Sequence, residues 1–182
     1  AGVDEVGRGA WAGPIVAAAV VFIPGTSQIY GLRESKQLSP LQRGELFSHI
    51  VSVADAWGVG VVSSNDIDRI GIAEANRRAM RQAIGSLGRD VDYVLVDGFS
   101  CRTYIPHTAI IRGDATVYSI AAASVVAKVW RDHLMCGLHK KFARYGFDVH
   151  KGYGTAAHER AIRDYGMCAI HPRSFVPTRF LG

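Results

Sequence analysis

The sequence has few cysteines, no long apolar run and no repetitive or low-complexity stretch, and each scarcity removes a class of protein. Its three cysteines are Cys101, Cys136 and Cys168. Odd in number, widely spaced and without a CxxC pair, they argue against both a disulfide framework and a zinc site. Reduced thiols in a cytoplasmic protein are therefore expected. The longest apolar run, Ile15 to Ile23, falls well short of the ~20 residues a membrane helix needs and suits a buried strand. No membrane partner is expected. The opening Ala1-Gly2-Val3-Asp4-Glu5 has no basic stretch ahead of an apolar one, so no secretory leader is expected either. The motifs also lack a Ser–His–Asp or Cys–His constellation, which speaks against a nucleophilic side chain.

With no linker-like segment, the 182 residues are expected to form a single domain with a substantial core. The net charge of +5 is unevenly spread. Residues 1–126 carry 11 Lys/Arg against 12 Asp/Glu, whereas residues 127–182 carry 10 against 4. A basic end on a near-neutral body suggests a surface that meets a polyanion, with solvated helix faces as the competing explanation.

The patterning predicts strands at Gly2–Glu5 and Ile15–Phe22, joined by the glycine-rich segment Gly7 to Pro14. Ser39-Pro40 gives an N-cap and a first-turn proline for a helix to about Val53. A third strand is expected over Trp57–Ser63, and helical spacing over Ile72–Leu87 ends near Gly88. Tyr93 to Gly98 is a short buried strand ending on Asp97, followed by a weaker one around Thr108–Ile111. A long helix is expected from Val117 to about Lys141, and a last one, Ala156–Tyr165, is capped by Thr155 and stopped by Gly166. Alternating strands and helices imply an α/β fold with a central mixed sheet flanked by helices, and a basic helical part over the C-terminal ~50 residues.

Acidic residues inside apolar strands are costly unless paired or bound to a cation. Asp4 and Glu5 sit in the first strand, Asp97 ends Val94-Leu95-Val96, and Asp114 follows Arg112-Gly113 just before the long helix. Singly, each has a structural explanation, and helix capping is a serious one for Asp114. Together, three acidic sites at strand or loop ends could converge at one sheet edge, where oxygen ligands suit Mn²⁺ or Mg²⁺. Two such ions about 4 Å apart can activate water and stabilise the leaving oxygen of a phosphodiester. Neighbouring strand residues face opposite ways, so the strand is expected to end at Glu5, with Asp4 the more central ligand. Gly7-Arg8-Gly9 offers a backbone that a ligand can approach closely and a guanidinium for a phosphate, or simply a tight turn.

Asp4-Glu5-Val6-Gly7-Arg8-Gly9 with Ala12-Gly13-Pro14 resembles the signature of the type 2 ribonucleases H. The resemblance continues through Ser35-Lys36-Gln37-Leu38-Ser39, Val96-Asp97-Gly98, Gly113-Asp114-Ala115 and Ile120–Ser124. It extends to Ala127-Lys128-Val129 with Arg131-Asp132, then His150 to Thr155 and His171 to Phe175, in order along nearly the whole chain. Arg8, where the HIII relatives carry lysine, and the short gap between Asp97 and Asp114 place it with the bacterial HII enzymes.

The resemblance implies a ribonuclease H-like fold in which Asp4, Glu5, Asp97 and Asp114 are the catalytic carboxylates and hold two divalent ions, Mn²⁺ or Mg²⁺. It implies that Gly7, Arg8 and Gly9 meet the ribose 2′-OH at the RNA-to-DNA junction, the group that distinguishes RNA from DNA. Tyr153 would stack on the following deoxyribose, with a core tyrosine as the competing explanation, and Lys36, Ser124 and Lys128 would lie near the substrate backbone, with packing as the alternative for Ser124. Glu34 stands where the family commonly has Asp. The implied activity is endonucleolytic cleavage of the RNA strand of RNA–DNA hybrids and 5′ of single ribonucleotides embedded in duplex DNA, leaving 3′-hydroxyl and 5′-phosphate, by a monomer. An HIII-like hybrid nuclease without junction specificity and a non-catalytic nucleic-acid binding module are the alternatives. His150, Lys151 and His158 could contact the substrate backbone too, with solvent exposure as an adequate alternative, and His49, His107, His133 and His139 show no ligand spacing.

Overall fold

Among the described residues, five strands pair in the order β3-β2-β1-β4-β5: β1 (Gly2–Val6), β2 (Ile15–Val21), β3 (Ala56–Val62), β4 (Val94–Asp97) and β5 (His107–Ile110). The first three are antiparallel neighbours, whereas β4 runs parallel to both β1 and β5. The sheet is therefore mixed, as the sequence predicts. The computed structural model describes residues 1–27, 29–32, 38–174 and 177.

The two-residue period of the strands sorts side chains onto two apolar layers. Val3, Ala17, Ala19, Val94 and Val96 are buried with Ala75, Ala79, Met80 and Ala83 of helix α3 (Ile72–Gly85). Ala18 and Val20 face the other way, onto α1 (Pro40–Val53) and α5 (Tyr118–His139). The small residues Ala121, Ala122 and Ala123 are fully buried and let α5 lie close against β1 and β2. Among the described residues, no helix is long and apolar enough to cross a membrane.

Local signals act where they are expected. Ser39 and Gln42 form a capping box with Pro40 in the first turn of α1. Thr155 caps α7 (Ala156–Tyr165), which Gly166 ends at φ 72°. The structure adds α2 (Ser64–Ile70), α4 (Gly113–Thr116) and α6 (Phe147–His150), all too short to show a periodicity. For α2 a sequence signal exists, because Ser63 caps it by accepting from the Asp66 amide and Gly71 separates it from α3. The boundary of β1 differs from the expected one: the strand does not end at Glu5 but runs on to Val6, since Glu5 and Val6 still pair with Ala17 and Val16 of β2.

Beyond α5, a 3₁₀ turn (Ala143–Tyr145), α6 and α7 enclose a smaller cluster of Tyr145, Phe147 and Ala161. Ala12 and Met135 join it, so this helical layer is anchored on the glycine-rich segment after β1.

Candidate active site

The parallel strands β1 and β4 end at the same edge of the sheet, and open α/β sheets place ligands at such carboxyl ends. Asp4 and Glu5 lie near the end of β1, and Asp97 is the last residue of β4. The chain then leaves β5, turns through Arg112 in the left-handed region (φ 56°) and enters α4, which carries Asp114 in its first turn. Arg112 and Val117 hold the cap positions of α4 and α5, so capping does not account for Asp114.

Asp4, Glu5, Asp97 and Asp114 line one cleft of ≈320 Å³, together with Val6, Arg43, Ser124, Val125 and Lys128. Three segments far apart in sequence thus deliver four carboxylates to one place. The opposed facing of neighbouring strand residues persists. Asp4 hydrogen-bonds Ser124 of α5, whereas Glu5 hydrogen-bonds Asn76 of α3 on the other layer. Both still reach the cleft because it opens over the end of β1. Asp97 Oδ1 accepts from the Asp114 amide at 3.3 Å, which couples the two acidic segments.

The electrostatics follow from this crowding. Burial, then the charges of Glu5 and Asp97, push the Asp4 carboxyl up to about 7, against the pull of its bond to Ser124. Burial and Asp97 likewise raise Glu5, with Arg8 pulling the other way. Among the described residues, no three His, Cys, Asp or Glu side chains are gathered into a ready-made metal cage. The donors nevertheless fit divalent ions in kind: all are hard carboxylate oxygens, and their mutual repulsion is what a cation relieves.

The other predicted residues divide. Ser124 and Lys128 are in the cleft wall, and Lys128 pairs with Asp132 at 2.8 Å. Tyr153 lies just outside it, half-buried, with Lys128 Nζ 5.7 Å from its ring centroid. Gly7, Arg8 and Gly9 follow β1 directly, and Arg8 stacks over the exposed Phe99 at 4.8 Å. Gly7 adopts φ 99°, and a Cβ there would overlap Arg131 and Pro14. Gly9 is different: it is exposed, keeps an ordinary φ and would meet nothing within 4 Å. Gly7 is explained by its turn, but no internal demand explains Gly9. Lys36 lies outside the described residues.

Arg43 of α1 is a cleft residue that the sequence reading missed. Its sequence signal is weak, since an arginine inside a surface helix is ordinary. The expectation for two histidines is corrected: His150 and His158 are buried, not solvent-exposed. His158 Nδ1 donates to the Tyr153 carbonyl (3.0 Å), so its Nε2 accepts from His171 Nε2 (3.0 Å). His150 donates to Tyr145 O (2.5 Å) and accepts from the Gly152 amide (3.2 Å). Packing with Phe147 and Tyr145 completes this neutral cluster, and burial pulls the His158 imidazole down to about 4.

Comparison with known proteins accords with this geometry. The family model described as Ribonuclease HII matches residues 1–181. A ribonuclease HII of Chlamydia caviae is 48% identical over 180 residues, covering 98% of this chain and 84% of that protein. One of Acidothermus cellulolyticus is 49% identical over 184 residues, covering 100% of this chain and 60% of the relative. Among solved structures, the ribonuclease H2 of Pyrococcus horikoshii superposes with a TM-score of 0.79 at 28% identity, covering 95% of this chain and 92% of that one. The mixed sheet with its flanking helices is thus a ribonuclease H-like fold, and the chain belongs to the ribonuclease HII family, the ribonuclease H hydrolases that cut RNA–DNA hybrids.

Proposed function

We propose that this chain cleaves on the 5′ side of single ribonucleotides embedded in duplex DNA, as well as within the RNA strand of hybrids, and so initiates ribonucleotide removal from DNA. The observation that carries the reading is the delivery of four carboxylates from three separate segments to one cleft that opens beside the Gly7–Gly9 loop. Asp4, Glu5, Asp97 and Asp114 would hold two divalent ions, Mn²⁺ or Mg²⁺, which supply an activated water and charge stabilisation for the departing 3′-oxygen. The products are a 3′-hydroxyl and a 5′-phosphate.

The protein's own groups do the positioning. Ser124 orients the Asp4 carboxyl, and the Asp114 amide orients Asp97. Lys128 and Arg43 bring positive charge to the cleft wall, where a scissile phosphate would lie. Gly9 leaves open space for a sugar edge to reach the backbone, and the 2′-OH is the group that such a contact detects. Tyr153, held beside Lys128, would meet the next sugar. The reduced cysteines fit a cytoplasmic enzyme, and a monomer suffices because one chain supplies all four carboxylates.

The test uses an end-labelled DNA duplex with one ribonucleotide, an all-DNA control and a uniform hybrid, each with Mn²⁺, Mg²⁺ or EDTA. The expected result is one metal-dependent cut 5′ to the ribonucleotide, absent from the control and abolished by Asp97→Asn. Cleavage of the hybrid alone would remove the junction assignment, and binding without any cleavage would remove the catalytic one.

A further inference from the structure

Among the described residues, Arg131 is the largest fully buried side chain, yet it belongs to none of the apolar clusters and pairs with no described carboxylate at hydrogen-bond distance. Its guanidinium spends its donors on backbone carbonyls of two separate segments. Nε donates to Pro14 O at 2.9 Å and one terminal nitrogen to Ala12 O at 3.1 Å, both in the glycine-rich segment after β1. The other terminal nitrogen donates to Lys151 O at 2.8 Å, across the join. Lys151 adopts φ 53°, an uncommon conformation for a side-chain-bearing residue and one that its neighbours must hold in place.

The same side chain touches what each segment carries. A Cβ on Gly7 would overlap the guanidinium, so the start of the Gly7–Gly9 loop rests directly on Arg131. On the other side the guanidinium lies 5.3 Å from the Tyr153 ring centroid. The backbones are joined as well: the Trp11 and Ala12 amides both donate to Gly152 O, at 2.8 and 3.2 Å. The planar fork reaches the three carbonyls from three separate nitrogens, whereas a lysine would offer its donors from a single one.

We infer that Arg131 is a positioning residue that clasps the Gly7–Gly9 loop to the Tyr153 loop, fixing the distance between the groups that meet the ribonucleotide and the deoxyribonucleotide after it. Arg131 itself touches neither substrate nor metal ligand. The inference rests on the junction reading proposed above. Discrimination between a lone ribonucleotide and a uniform hybrid depends on both loops being met together, whereas the carboxylates of the cleft do not depend on the clasp.

The experiment compares wild type with Arg131→Lys on the single-ribonucleotide duplex and on the uniform hybrid, taking the ratio of the two kcat/KM values. Thermal midpoint and Mn²⁺ affinity, from electron paramagnetic resonance titration, are measured alongside. The expected result is a folded variant with unchanged Mn²⁺ affinity whose ratio falls roughly ten- to a hundredfold, the scale set by small misplacements of positioning groups. An equal fall on both substrates would make Arg131 a plain structural residue and overturn the clasp.

If Arg131→Lys does not fold, amide hydrogen exchange on the wild type decides. One shared opening for Trp11, Ala12, Gly152 and Tyr153 supports the clasp, and separate openings of the two loops overturn it. Wild type that cuts both duplexes equally well would sink the junction reading. Wild type that discriminates beside a folded variant that discriminates equally well would sink the clasp alone.

Discussion

Two places in the molecule gather titratable side chains, and they solve the resulting problem in opposite ways. In the cleft, Asp4, Glu5, Asp97 and Asp114 share one small volume, and burial with mutual repulsion drives Asp4 up to about 7. Beneath Tyr153, His150, His158 and His171 stack within 4.4 to 5.2 Å, but each ring nitrogen that donates finds an acceptor. Burial holds His158 neutral, pulled down to about 4. A satisfied cluster stabilises the fold, whereas an unsatisfied one stores electrostatic free energy that a cation can release.

The largest effect that would break this contrast lies in the cleft. Asp97→Asn keeps the acceptor for the Asp114 amide but removes a ligand charge, so cleavage should fall on the order of 10³-fold or more with the fold intact. Gel-resolved cleavage rates beside a circular dichroism melt check both halves, and a variant that cuts normally would refute the metal-site assignment.

Asp4→Asn should abolish activity and yet stabilise the protein in EDTA. The folded carboxyl titrates above its unfolded value of 3.8, so its ionisation weakens the fold progressively as pH rises from there through about 7. Removing the charge should therefore recover roughly 2–4 kcal/mol at pH 8 and almost nothing at pH 4, measured by urea unfolding.

The histidine cluster predicts the reverse slope. His158 titrates below its unfolded value, so its contribution is complete above about 6.5 and is lost as pH falls toward about 4. That loss should reach up to about 3 kcal/mol, and His158→Gln should flatten the slope while leaving pH-8 cleavage of a uniform hybrid within a fewfold of wild type. An unchanged acid limb in the variant would show that the cluster is not what titrates.

The smallest effect is the most selective. Gly9→Ala meets open space, so stability should shift by less than about 0.5 kcal/mol. Cleavage at a single ribonucleotide should nonetheless fall roughly tenfold if the backbone there meets the 2′-OH, comparable to ~1.4 kcal/mol. Unchanged kinetics would return Gly9 to the status of an ordinary loop residue.

Much of the fold was legible because its signals are local. The continuous apolar run of β2, the Ser39-Pro40 start of α1, Thr155 and Gly166 each act within a few residues, and each predicted element stands within a residue or two of its expected bounds. The extra residue of β1 was not local, because pairing with Val16 and Ala17 sets it. The burial of the histidines is non-local for the same reason. Nothing near His150 or His158 in sequence shows that Phe147, Tyr145 and His171 enclose them.

By itself the sequence determined the mixed α/β architecture, the ordered motifs of the family and the identity of the acidic residues, because those depend on short-range pattern and residue chemistry. Only the tertiary structure decided that residues 4, 5, 97 and 114 share one cleft, that Arg43 joins them, and that Arg131 lies buried between two loops. These are long-range facts. They arise where parallel strands end together and where a helix over a hundred residues downstream packs against the loop after β1, and no spacing along the chain encodes such a meeting.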